Sequence, residues 1–109
     1  MRIVTLSERE MAEADRRTRA AAELCCVLTD YARAHGGRFL LFGSAARGTM
    51  RYHSDVDILV DFQREALDDA CGFAERACWD RKLDPDIMPY AWCTEAFLKH
   101  IAPEVQVMG

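Results

Sequence analysis

No apolar run in this chain approaches the roughly 20 consecutive apolar residues that a membrane-spanning helix needs. The amino terminus carries Glu8 and Glu10 and no apolar core segment, so a secretory signal is not expected. The spacing that zinc needs is missing too. Five cysteines form no Cys-x-x-Cys pair, and His35, His53 and His100 have no helix or hairpin ligand spacing. The cysteines read as small apolar core residues in a reducing cytoplasm, with Cys71 and Cys78 two turns apart on one helix. Nor is there an excess of positive charge. A net charge of −4 argues against a protein that coats nucleic acid. No repeat, linker or low-complexity segment appears. Half the residues are hydrophobic and 29% are charged, the composition of a globular chain. Its 109 residues read as one domain with a single core.

What is there centres on Gly43 to Asp57. An apolar run, Phe39-Leu40-Leu41-Phe42, leads into Gly43-Ser44. After ten residues come Asp55-Val56-Asp57 and a second apolar run through Val60. Both runs read as strands. Side chains alternate along a strand, so Asp55, Asp57 and Leu59 share one face, while Val56, Ile58, Val60 and Phe62 face a core. The two carboxylates then stand with Cβ atoms about 7 Å apart. A hard cation suits such a pair better than a core does. Gly43 ends its strand in a tight turn where a side chain would obstruct a ligand. Ser44 opens a short helix, Ala45 to Arg47, whose amides and hydroxyl suit phosphate oxygens. Arg47 adds a guanidinium for bidentate phosphate contact. Arg51 and His53 extend that positive cluster.

Along the rest of the chain, Met1 to Leu6 is a short extended lead. Ser7 and Glu10 form a capping box, with Leu6 and Met11 as its hydrophobic staple. A helical segment covers about 7–35 and stops at Gly36-Gly37. Its length predicts a break near Thr18 to Ala22. Leu24, Val27, Leu28 and Tyr31 face the sheet. Glu8 to Arg19, charged with alanines between, reads as a solvated face, with partner binding as the other reading. Arg38 to Phe42 and Asp55 to Phe62 are the central strands. Glu65 to about Lys82 is a helix with the stripe Leu67, Ala70, Cys71, Ala74, Ala77, Cys78. Leu83 to Met88 is a strand that Pro85 assigns to an edge or to a start at that residue. Thr94 to about Ala102 is a short helix, and Val105 to Met108 a last strand. The fold class is α/β (α+β), with a core on one sheet face.

Gly43-Ser44-x10-Asp55-x-Asp57 resembles the signature of the DNA polymerase β-like nucleotidyltransferase superfamily. The fuller string, Leu41 to Gly48 followed by Ser54 to Val60, looks like its minimal nucleotidyltransferase branch, similar to the antitoxin half of HEPN/MNT toxin–antitoxin pairs. The resemblance covers about residues 36 to 102. It implies a mixed β-sheet flanked by helices and a catalytic core over 36–102. It also implies a third carboxylate in a strand of pattern apolar-Asp-apolar-apolar. Asp86-Ile87-Met88 fits, with proline in the preceding place, and Asp84 is the runner-up.

Two Mg²⁺ ions clamped by Asp55, Asp57 and Asp86 would then serve nucleotidyl transfer, with Asp86 as possible base and Gly43, Ser44 and Arg47 on the phosphates. The family implies AMP transfer from ATP to a tyrosine of a HEPN ribonuclease toxin, in the cytoplasm, with a complex of the two proteins as the expected assembly. A chain of this length leaves little room for an acceptor-binding domain, so a small molecule or RNA is the less economical acceptor. The competing class is a binding module that neutralises the toxin by occlusion.

Overall fold

The computed structural model describes residues 3–109. Helix α1 runs from Leu6 to His35, 30 residues, or about 45 Å at 1.5 Å per residue. Its N-cap is Thr5, whose hydroxyl accepts from the Glu8 amide at 3.1 Å. The Ser7–Glu10 capping box therefore does not form. Leu6 and Met11 are 72% and 66% exposed, so the staple is absent as well. Of the extended lead, residues 1 and 2 lie outside the described residues, and Ile3 to Thr5 carry no regular element. Gly36 ends the helix at φ +73°, a left-handed cap that glycine adopts without strain.

No break occurs near Thr18 to Ala22. Thr18 donates its hydroxyl to the Ala14 carbonyl at 3.0 Å and the helix continues. Tertiary packing holds the segment, because Ala20 and Ala21 are buried against the body and Leu24, Leu28 and Ala32 follow at helical spacing. Val27 and Tyr31 pack partly buried beside them.

Four strands form one sheet in the order β3-β2-β1-β4. β1 (Arg38–Phe42) pairs antiparallel with β2 (Val56–Asp61) and with β4 (Gln106–Met108). β2 and β3 (Pro85–Pro89) are parallel. A parallel pair needs a crossover, and α3 (Arg64–Asp80) supplies it. The small stripe Ala70, Ala74, Ala77 and Cys78 is buried and lets α3 approach the sheet closely. Pro85 and Pro89 both fall on β3, and β3 is an edge strand, as a missing donor requires.

The core is not confined to one face. α1 and α3 cover Phe39, Leu41, Val56, Ile58 and Val60 on one side. On the other, Leu40, Leu59 and Ile101 are buried with Phe42, Met88, Phe97 and Leu98. Helix α4 (Glu95–Ile101) closes this second face; Thr94 caps it by accepting from the Phe97 amide at 3.1 Å. A 3-10 turn, Tyr90–Trp92, connects β3 towards it. The sheet is mixed and flanked by helices, an α+β fold.

Candidate active site

β1 ends at Phe42 and the chain turns at Gly43 with φ +74°. A Cβ at that position would run into the Asp57 carboxylate, so both the backbone angle and the space select glycine. Helix α2, Gly43–Arg47, starts there with Phe42 as N-cap and no side-chain cap. The Ser44 hydroxyl is thus not spent on capping. The Ser44 carbonyl accepts from the Gly48 and Thr49 amides and closes the turn.

Asp57 and Asp86 are register partners on the parallel strands β2 and β3. Alternation puts Asp57 on the Leu59 face and Asp86 on the Met88 face, the side that α4 covers. Asp57 is half-buried. Burial first, then the Asp86 charge and a hydrogen bond shared with Asp86, then the Asp55 and Glu104 charges push its carboxyl up to about 6. Asp55 is exposed just before β2 and reaches Asp57 through its charge. Among the described residues, no three acidic, histidine or cysteine groups converge closely enough to enclose a metal ion. The pair itself fits one. Two adjacent carboxylates, one raised by burial and then by its acidic neighbours, are the donor chemistry of a hard divalent cation.

Asp84 is engaged elsewhere. Its carboxylate takes the Arg17 guanidinium at 2.8 Å. The same Arg17 nitrogen donates to the Ser54 carbonyl at 2.8 Å, and Nε donates to Glu13 at 3.0 Å. Arg16 bonds Glu13 and donates to the carbonyls of Arg81 and Lys82 at 2.8 and 2.6 Å. The Arg16 guanidinium, and then Arg17, holds the Glu13 carboxyl down to about 2 against the opposing effect of burial. The charged first half of α1 is therefore not only a solvated face. It fastens the helix to the starts of the two strands that carry Asp57 and Asp86.

Arg47 is exposed and donates to Glu104 Oε2 at 2.8 Å. The Gly43 amide donates to the same oxygen at 2.6 Å. Glu104 is the site residue that sequence reasoning missed. β4 pairs with β1 as Leu41↔Gln106, and two further steps of that register bring Glu104 opposite Gly43. Only the strand order carries this signal. Arg51 and His53 turn towards the first turns of α1, where they line a cavity of about 260 Å³ with Ser7, Glu10, Met11 and Tyr52. Arg51 also anchors its loop, its amide donating to the Ser54 hydroxyl at 2.8 Å. All five cysteines are free. Among the described residues no helix is long and apolar enough to cross a membrane.

No curated protein matches the chain. The model of the nucleotidyltransferase domain matches residues 26–102, from the middle of α1 to the end of α4, and so takes in the Gly43 turn, Asp55, Asp57 and Asp86. With more than half of its length matched in this way, the chain belongs to the nucleotidyltransferase domain family, and its class of activity is nucleotidyl transfer.

Proposed function

We propose that this protein is a magnesium-dependent protein adenylyltransferase. It moves AMP from ATP to a tyrosine hydroxyl of a HEPN-type ribonuclease toxin and so acts as the antitoxin. The observation that carries the reading is the Asp57–Asp86 pair, held abreast on β2 and β3, with the Gly43 turn packed so closely on Asp57 that its angle and space favour glycine.

In this reading Asp57 and Asp86 hold the metal, Asp55 adds its charge from just before β2, and Ser44 and Arg47 bind phosphate oxygens beside the Gly43 backbone. Bound Mg²⁺ would neutralise the triphosphate and lower the pKa of the attacking hydroxyl. Asp86 takes the proton of that hydroxyl. The acceptor oxygen bonds to the α-phosphorus, the bond from that phosphorus to the β-phosphate oxygen breaks, and pyrophosphate leaves. The charges of Asp86, Asp55 and Glu104 around Asp57 support the reading, because a site with surplus negative charge recruits cations. The competing reading, neutralisation by occlusion, draws on one feature. Ile3, just before α1, and Leu6 and Met11 in its first turns are 86%, 72% and 66% exposed, apolar side chains open to a partner.

Calorimetric titration with ATP tests the proposal. Binding should be strong with Mg²⁺ and weak in EDTA. Equal affinity in the two buffers would count decisively against a metal-assisted site.

A further inference from the structure

The family match ends at Ala102, yet the chain beyond it returns to the site. Helix α2 has five residues, too few to hold its shape alone. Its form must be imposed from outside, and the stretch entering β4 supplies three contacts. Glu104 Oε2 accepts from the Gly43 amide at 2.6 Å and from Arg47 Nη1 at 2.8 Å. Gln106 Nε2 donates to the Ala46 carbonyl at 2.7 Å. The first, fourth and last residues of α2 are each fastened to the same short segment. The Glu104 side chain is 22% exposed and that of Arg47 is 51%. The anchor is the more buried partner and the guanidinium the more accessible one. Arg47 gives Nη1 to Glu104 and keeps two further nitrogens for another anion.

We propose that Glu104 is a positioning residue of the active site, fixing the Gly43 turn that lies against Asp57 and holding Arg47 at the end of α2 to receive the phosphates of the nucleotide. The proposal rests on the nucleotidyltransferase reading above. A charge-assisted bond to a backbone amide and a second to a guanidinium order the turn before ligand arrives. Ligand binding then costs less ordering of Arg47. The opposite role would make Glu104 a competitor of phosphate for the same donors. It predicts the reverse sign, because removing a competitor tightens binding.

The test is Mg–ATP affinity by calorimetry on the full chain. Wild type, Glu104→Gln and Glu104→Ala are each measured with and without Arg47→Ala, alongside melting temperatures. Glu104→Ala should raise the Kd about tenfold, equivalent to ~1.4 kcal/mol. Glu104→Gln should raise it less, since its amide oxygen still accepts from Gly43. Arg47→Ala should cost less in the Glu104→Ala background than in wild type, because an unheld arginine has less to lose. If the alanine variant does not fold, the isosteric glutamine variant carries the same comparison. A lower melting temperature with an unchanged Arg47 contribution would mean a purely structural contact and overturn the proposal. So would tighter binding in either variant. Wild type that binds no Mg–ATP removes the nucleotidyltransferase reading itself, and this proposal with it. Wild type that binds while all Glu104 variants bind equally well removes the positioning role alone.

Discussion

Asp57→Asn in metal-free buffer is the most informative single perturbation. Its carboxyl is raised from the usual 3.8 to about 6 by burial and by Asp86, Asp55 and Glu104. A carboxyl that holds its proton more tightly in the folded state favours folding while protonated. That contribution is complete below pH 3.8 and is lost as the pH rises through 6. Each pH unit of that gap corresponds to about 1.4 kcal/mol, so the span has an upper limit near 3 kcal/mol. Asp57 is only half-buried, and solvent screening leaves on the order of 1 kcal/mol. Asparagine keeps the size of the side chain and cannot ionise. In EDTA at pH 7.5 the variant should melt higher than wild type by roughly 4–8 °C, the shift that ~1 kcal/mol produces in a domain of this size. At pH 4 the two should melt together. Saturating Mg²⁺ should reverse the order, since the cation stabilises only the charged pair. The assay is differential scanning calorimetry across that pH range. A variant no more stable than wild type at pH 7.5, or more stable by the same margin at pH 4, would refute the reasoning.

Ser44→Ala should weaken Mg–ATP binding by about 1 kcal/mol, more if a charged phosphate is its acceptor, with no change in melting temperature, because α2 uses no side-chain cap. A lower melting temperature with unchanged affinity would make the hydroxyl structural. Arg17→Ala should destabilise the fold by about 1–3 kcal/mol in urea unfolding, because it leaves the half-buried Ser54 carbonyl without that partner and frees Asp84. Val56→Ala and Ile58→Ala, on the covered face of the same strand as Asp57, should cost roughly 1–5 kcal/mol in the same assay. Lowering the pH from 4.5 through 2 should loosen the start of α1, because Glu13 gives stability only while ionised, and amide hydrogen exchange at Arg16 and Arg17 would report it.

The central half of the fold was legible because its signals are local. β1 is an apolar run closed by glycine, which marks where the strand ends. β2 opens Val56-Asp57-Ile58, so the face of Asp57 followed from its two apolar neighbours. The small stripe of α3 marked its buried side. What was not legible depends on contacts between distant parts of the chain. Leu40 and Leu59 are buried because α4 returns over them, which no local pattern announces. The uninterrupted α1 depends on Ala20 and Ala21 meeting the body. Glu104 looks like an ordinary loop carboxylate until β4 is paired with β1. The choice between Asp84 and Asp86 as neighbour of Asp57 needed the register of β3 and the reach of Arg17.

Mass spectrometry of the partner protein reads nucleotide transfer itself. A HEPN-type toxin is incubated with this protein, ATP and Mg²⁺, using wild type and a double variant carrying Asp55→Asn and Asp57→Asn, and toxin activity is followed in parallel. Wild type should add the mass of AMP to a tyrosine and silence the toxin, while the double variant should add nothing and fail to protect. Full protection by a double variant that transfers no nucleotide would contradict this and leave occlusion as the mechanism.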